Sequence, residues 1–244
     1  MIRILTSLML FSIYAFGETL EIPTINLSLS SPETPAALVN SLNVIVLLTI
    51  MFLAPSLLLM TTTFTRFVIV FGFLRQAMGT QQIPPTQLLV SLALLLTIYV
   101  MEPVGIKAYE QGIKPYVEEQ ISYEVAFERT TEPFKNFMIR NTREKDLALF
   151  FRIRKMENPQ SISDVPLSVV VPAFMISELK TAFEIGFLLF LPFLVIDMVV
   201  ASILMSMGMM MLPPVMISLP FKILVFVLVD GWNLLIGNLV ASIK

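Results

Sequence analysis

The 244-residue chain contains no cysteine and no histidine. Disulfide staples, thiol catalysis, thiolate or imidazole metal sites and histidine-based triads are therefore closed to it. Charge is also scarce. Only 14% of residues are charged, where soluble domains carry about 25%. The formal net charge of -2 gives no basic footprint for nucleic acid. No nucleotide-binding loop, internal repeat or low-complexity tract is present, and no cofactor is implied. Any enzyme built from this chain would have to work with carboxylates, lysine, hydroxyls or tyrosine.

Apolar sequence is plentiful. Hydrophobic residues make up 56% of the chain, and the mean hydropathy is +0.84, which places the chain among integral membrane proteins. Residues 1–17 follow the three-part pattern of a secretory signal. Arg3 is basic, Ile4 to Tyr14 is mostly apolar, and Ala15-Phe16-Gly17 supplies small residues for cleavage. Residues 18–37 form a polar lead-in. In the first apolar region, 38–101, Leu42 to Met60 is long enough to span a bilayer. Arg66 and Arg75 are the only charges between Thr65 and Pro85, which predicts a cytoplasmic position for that stretch. Its apolar part, Phe67 to Leu74, predicts helix packed on protein. Pro84-Pro85 predicts a helix start, and Glu102-Pro103 is expected to end the return span.

Residues 102–164 differ sharply, holding 21 of the 34 charged residues. They predict a small, mostly helical periplasmic insert, with Leu147, Phe150, Phe151 and Ile153 as its apolar face. From residue 165 to 244 the sequence is apolar again, but Glu178, Lys180, Glu184, Asp197, Lys222 and Asp230 interrupt it. A charge at the bilayer centre costs about 2.5–3.5 kcal/mol, so these six must face protein, water or one another. Lys180 and Glu184 are one helical turn apart and can pair. The fold class expected is all-α: membrane helical hairpins carrying the helical insert and assembling into a helical ring.

Three functional readings follow from these residues. Asp197 and Asp230 could form an intramembrane aspartyl pair, although Leu228-Val229 stands where such proteases have Gly-x-Gly. The same charges could serve an ion-coupled transporter. The third reading rests on Met205, Met207, Met209, Met210, Met211 and Met216, which crowd around Gly208 and Pro213-Pro214. Methionine is unbranched and polarizable. The cluster is therefore either core filling or a deformable loop at a constriction.

The longer motifs decide among these readings. Pro172 to Phe187 reads PAFMISELKTAFEIGF, Pro192 to Met211 reads PFLVIDMVVASILMSMGMMM, and Pro220 to Trp232 reads PFKILVFVLVDGW. Phe64 to Gly79 reads FTRFVIVFGFLRQAMG. Together they resemble the FliP family of flagellar export subunits, related to type III secretion injectisomes. The resemblance covers roughly residues 40–101 and 165–244. Thr63 and Thr86 depart from it mildly, standing where Ser and Asn are expected.

The resemblance implies a protein without catalytic residues, in the bacterial inner membrane at the base of the flagellum. It implies a ring of five copies that joins FliQ, FliR and other export-apparatus membrane proteins. The resulting gate would conduct unfolded flagellar substrates outward. The family's methionine-rich pore loop maps onto Met209, Met210 and Met211. Arg66, Glu178, Lys180, Glu184, Asp197, Lys222 and Asp230 are expected to make subunit contacts.

Overall fold

The computed structural model describes residues 35–80, 83–156, 164–209 and 211–243. The expected signal peptide, and the lead-in up to residue 34, lie outside the described residues. The chain divides into two units, one ending at Thr49 and the other running from Ile50 to the end. The described part of the first unit is the beginning of helix α1 (Pro35–Met60), an apolar helix that continues through Pro55. The second unit carries all the remaining elements. No strand occurs among the described residues.

Helix α2 (Phe64–Met78) forms because its apolar residues recur at helical spacing. Phe67, Val70, Phe71, Leu74 and Met78 are buried on one face. Helix α3 (Thr86–Ala108) starts directly after Pro84-Pro85, as the proline pair predicts. It does not stop at Glu102-Pro103. Pro103 lies inside it, and the chain continues through a π turn (Tyr109–Ile113) into helix α4 (Lys114–Val117). Pro103 leaves the carbonyl of Tyr99, one turn earlier, without its ladder bond, which membrane helices tolerate when surrounding groups satisfy it.

The charged insert then folds back as α5 (Tyr123–Asn141) and α6 (Glu144–Ile153). Glu144 and Asp146 in the first turn of α6 and Arg152 in its last turn complement the helix dipole. Of the four residues expected on its apolar face, Phe151 is buried and Leu147 and Phe150 pack against the core. Ile153 is 63% exposed. The helix ends there, and Arg154 to Met156 turn away with Lys155 in the left-handed region.

Helix α7 (Leu167–Ser206) is 40 residues long. After a turn the chain returns as α8 (Pro214–Leu228) and α9 (Gly231–Ala241), which meet at a 64° bend. Two cores flank α7. Its first turns supply Val169, Val170 and Phe174 to a core shared with Met101, Phe137, Met138 and Phe151. Its middle supplies Ala182 and Phe193 to a core with α2, α3, Phe226, Leu235 and Leu239. Each fully buried phenylalanine contributes about 1.5–3 kcal/mol of burial, and Phe67, Phe71 and Phe174 are among them. The stretches Thr86–Val117 and Leu167–Ser206 are long and apolar enough to cross a membrane, and the bent pair α8–α9 makes a third if counted as one span.

Candidate functional site: a methionine turn braced by buried charges

The turn between α7 and α8 holds the methionine run. At its start the amide of Gly208 donates to the carbonyl of Met205 at 3.0 Å, and that of Met209 donates to Leu204 at 3.0 Å. These two bonds make a Schellman closure of α7, with Gly208 in the left-handed position at φ +75°. Glycine suits this position because it lacks the Cβ that clashes there. The turn thus satisfies the helix carbonyls of Leu204 and Met205. Among its described methionines, Met211 is 97% exposed and Met207 is exposed, while Met209 is half-buried. Met210, the third methionine of the expected pore loop, lies outside the described residues.

A buried charge cluster braces the base of this hairpin. The Lys222 ammonium donates to Asp197 Oδ2 at 2.6 Å and to the Ala77 carbonyl at 3.0 Å. The Ser218 hydroxyl donates to Asp197 Oδ1 at 2.5 Å. Lys222 is only 2% exposed. Three elements are tied at one point: the last turn of α2, the outer third of α7, and α8. Ser218 and Lys222 are four apart on α8, so one helix face presents both to Asp197.

Closer to the insert, Arg66 and Glu178 form a second buried pair. The guanidinium engages both carboxylate oxygens: Nε donates to Oε2 at 2.8 Å and Nη2 donates to Oε1. Its remaining Nη1 donates to the carbonyl and hydroxyl of Ser242, at 3.1 and 2.8 Å. Arg66 is 2% exposed and Glu178 fully buried. This fork geometry is what makes arginine suited to a buried ion pair.

One residue earlier on α7, Ser177 joins a third cluster. Its hydroxyl donates to Asp146 Oδ2 at 2.5 Å and accepts from the Arg143 amide at 3.1 Å. The Arg143 Nε donates to the same Asp146 oxygen at 2.8 Å. Burial pushes the Asp146 carboxyl up, but the Ser177 hydroxyl and the Arg143 guanidinium outweigh it and hold the group below its ordinary value.

The expected charges thus separate into three environments. Arg66, Glu178, Asp197 and Lys222 find their partners inside the chain, so their burial is accounted for without a neighbouring subunit. Lys180 and Glu184 pair at 3.0 Å, as their spacing predicts, but on the surface, at 43% and 58% exposed. Asp230 stands in the left-handed region at the bend before α9 (φ 51°). It caps nothing with its side chain and makes no ion pair among the described residues. Both oxygens of Asp197 are held by Ser218 and Lys222, so the geometry does not form an Asp197–Asp230 dyad. Of the two departures, Thr86 accepts a 2.7 Å hydrogen bond from Arg75 Nη1. Thr63 is fully buried, with its hydroxyl unpartnered among the described residues.

The Asp146–Ser177–Arg143 cluster and the Ser218, Ser242 and Ala77 contacts were not visible in the sequence. Ser218 alone left a trace, because it shares a helical face with Lys222.

Comparison with known proteins matches this architecture to one family. The FliP family model covers residues 47–239. The flagellar biosynthetic protein FliP of Bacillus subtilis (strain 168) is 51% identical over 216 residues, 88% of this chain and 98% of that protein. The Caulobacter vibrioides protein of the same name is 58% identical over 198 residues, 81% of this chain and 74% of its own. The Aquifex aeolicus protein is 46% identical over 242 residues, 98% of both chains. The long motifs around Glu178 and Asp197, the membrane-length helices and these relatives agree: the chain belongs to the FliP family, and is a membrane component of the flagellar protein-export apparatus.

Proposed function

We propose that this chain is a pore-forming subunit of the flagellar export gate in the bacterial inner membrane. Five copies would assemble with FliQ and FliR, place the charged insert on the periplasmic side, and pass unfolded flagellar substrates outward. The observation that carries this reading is the methionine turn. It closes its own helix end through Gly208, projects Met211 fully into the open, and stands on a hairpin clamped by Lys222 and Asp197.

A loop with those properties suits a gasket. The end of α7 is closed by backbone bonds within the chain. Methionine side chains make many weak dispersion contacts of about 0.1–0.2 kcal/mol per atom pair and no directional ones. A translocating chain can displace them without leaving a buried polar group unpaired, and they can close again behind it. Met209, Met210 and Met211 are the residues assigned to this role. Lys180, Glu184 and Asp230, which remain exposed in the single chain, are the charges left to contact other subunits.

The test is ion conductance of the assembled complex in a planar bilayer or in living cells. Replacing Met209, Met210 and Met211 together with alanine is expected to raise conductance while the complex still assembles. Conductance equal to that of the unaltered complex would refute the gasket.

A further inference from the structure

The charge of the insert is sorted along its length. From Tyr109 to Glu128 there are five glutamates and a single lysine, whereas the rest of residues 102–164 carries nine basic and six acidic residues. The acidic segment comprises the π turn, α4 and the start of α5. It is the end of the insert farthest along the helix from the apolar stretch of α3. Sixteen residues separate Met101 from Val117, a helical rise of about 24 Å.

This acidic end is also apolar. Tyr109, Ile113, Tyr116, Val117, Tyr123 and Phe127 are all 43% exposed or more. The Tyr116 ring lies 6.3 Å from Tyr123, and Tyr123 lies 6.4 Å from Phe127, giving a continuous aromatic ladder across two helices. Glu110, Glu118, Glu119, Glu124 and Glu128 are all exposed around it. None of the five forms an ion pair among the described residues. Glu124 is held below its ordinary value by its own backbone amide and the Ser122 hydroxyl, so it is ionised at neutral pH.

The surface is firmly built. A Cβ on Gly112 would come within 2.1 Å of the Thr130 hydroxyl and 2.7 Å of its backbone nitrogen. Glycine therefore lets the π turn and α5 touch backbone to backbone. Glu119 closes α4 in the left-handed region at φ 57°, a position where glycine is the relaxed choice.

We propose that this tip is a docking surface for a basic amphipathic helix of a different protein in the extramembrane space. The ladder supplies the apolar contact, and its ring spacing of just over 6 Å is close to the separation of about 5–6 Å between side chains one turn apart on a helix. The glutamate rim selects lysine and arginine on the partner's flanks and repels acidic competitors. A second copy docking tip to tip would oppose like charges. An anionic lipid surface would meet the same repulsion. The inference rests on the proposed position of the insert outside the membrane, but not on the methionine gasket. Its test reads docking rather than conductance, so either can fail alone.

The experiment places a photo-crosslinking amino acid at Tyr116 or Phe127 of the full chain, in cells that assemble the complex, and maps the adduct by mass spectrometry. The expected adduct is a segment of a different protein with apolar residues at helical spacing flanked by Lys and Arg. Glu118→Lys, Glu124→Lys and Glu128→Lys combined are expected to lower its yield about tenfold, with the yield of the purified membrane complex unchanged. Glu119→Gly removes a charge while relaxing the backbone, so its weaker adduct cannot be blamed on misfolding. An adduct only with another copy of this chain, only with lipid, or none at all would overturn the proposal. So would an adduct whose yield ignores charge reversal.

Discussion

The two ends of α7 solve the same problem in opposite ways. Near the insert, Glu178 is wholly buried and both its oxygens are gripped by one arginine. Near the methionine turn, Asp197 keeps 27% of its side chain exposed and divides its oxygens between a serine and a lysine. The first arrangement is planar, bidentate and closed to solvent. The second uses a point charge that also reaches a backbone carbonyl. A buried pair is strongly destabilised when one partner is removed, because the survivor is left charged in a poor solvent. The Glu178 end is therefore the more brittle, and the Asp197 end, beside the moving part proposed here, the more forgiving.

Glu178→Ala should break this comparison most visibly. It leaves the Arg66 guanidinium buried with only Ser242, at a cost of about 3–5 kcal/mol. The expected result is near-complete loss of folded protein, measured as the monodisperse fraction in mild detergent. Lys222→Met should cost less, because Asp197 can draw on solvent. Adding Asp197→Leu to it is expected to recover most of the lost yield, since an apolar replacement of a whole pair is often close to neutral. Failure of the double variant to recover would mean that the Ala77 and Ser218 contacts matter more than the charge pair.

A smaller effect is expected from pH. Asp146 is held below its ordinary value of 3.8 by Ser177 and Arg143 despite its burial. Its contribution to stability is therefore fully present above that value and is lost as pH falls through the lower value of the folded state. Hydrogen exchange in α6 should accelerate over that acid window, and the Asp146-dependent part of the acceleration should vanish in Asp146→Asn. The smallest effect belongs to Lys180→Ala. An exposed i,i+4 pair contributes about 0.3–0.5 kcal/mol, so yield and thermal stability should hardly change. A large loss of complex there, with the single chain still folded, would mark Lys180 as a contact with another subunit.

Legibility in the sequence followed the range of each interaction. The start of α3 at Pro84-Pro85 and the Lys180–Glu184 pair are each set by residues within a turn of each other, and residue type or spacing was enough to find them. The continuation of α3 past Glu102-Pro103 was not legible, because a proline and a charge look like a stop unless the following turns are known to fold against α5. Arg66 and Glu178 are 112 residues apart, and nothing local says which cation answers which acid. The same holds for Ser177 and Asp146, on different helices. That the charges of the second half avoid lipid was inferable, but which of them are buried and with what partner was not: Lys180, Glu184 and Asp230 are exposed.

Helix α7 runs about 60 Å at 1.5 Å per residue, with one end in the insert core and the other at the methionine turn. A rigid tilt of such a rod by about 5° about one end would carry the other through about 5 Å. Pro172 and Pro192 are the two places where it lacks a ladder hydrogen bond and can yield. Any tilt of α7 would be carried to the turn by the helix itself, and those two joints are where it would bend.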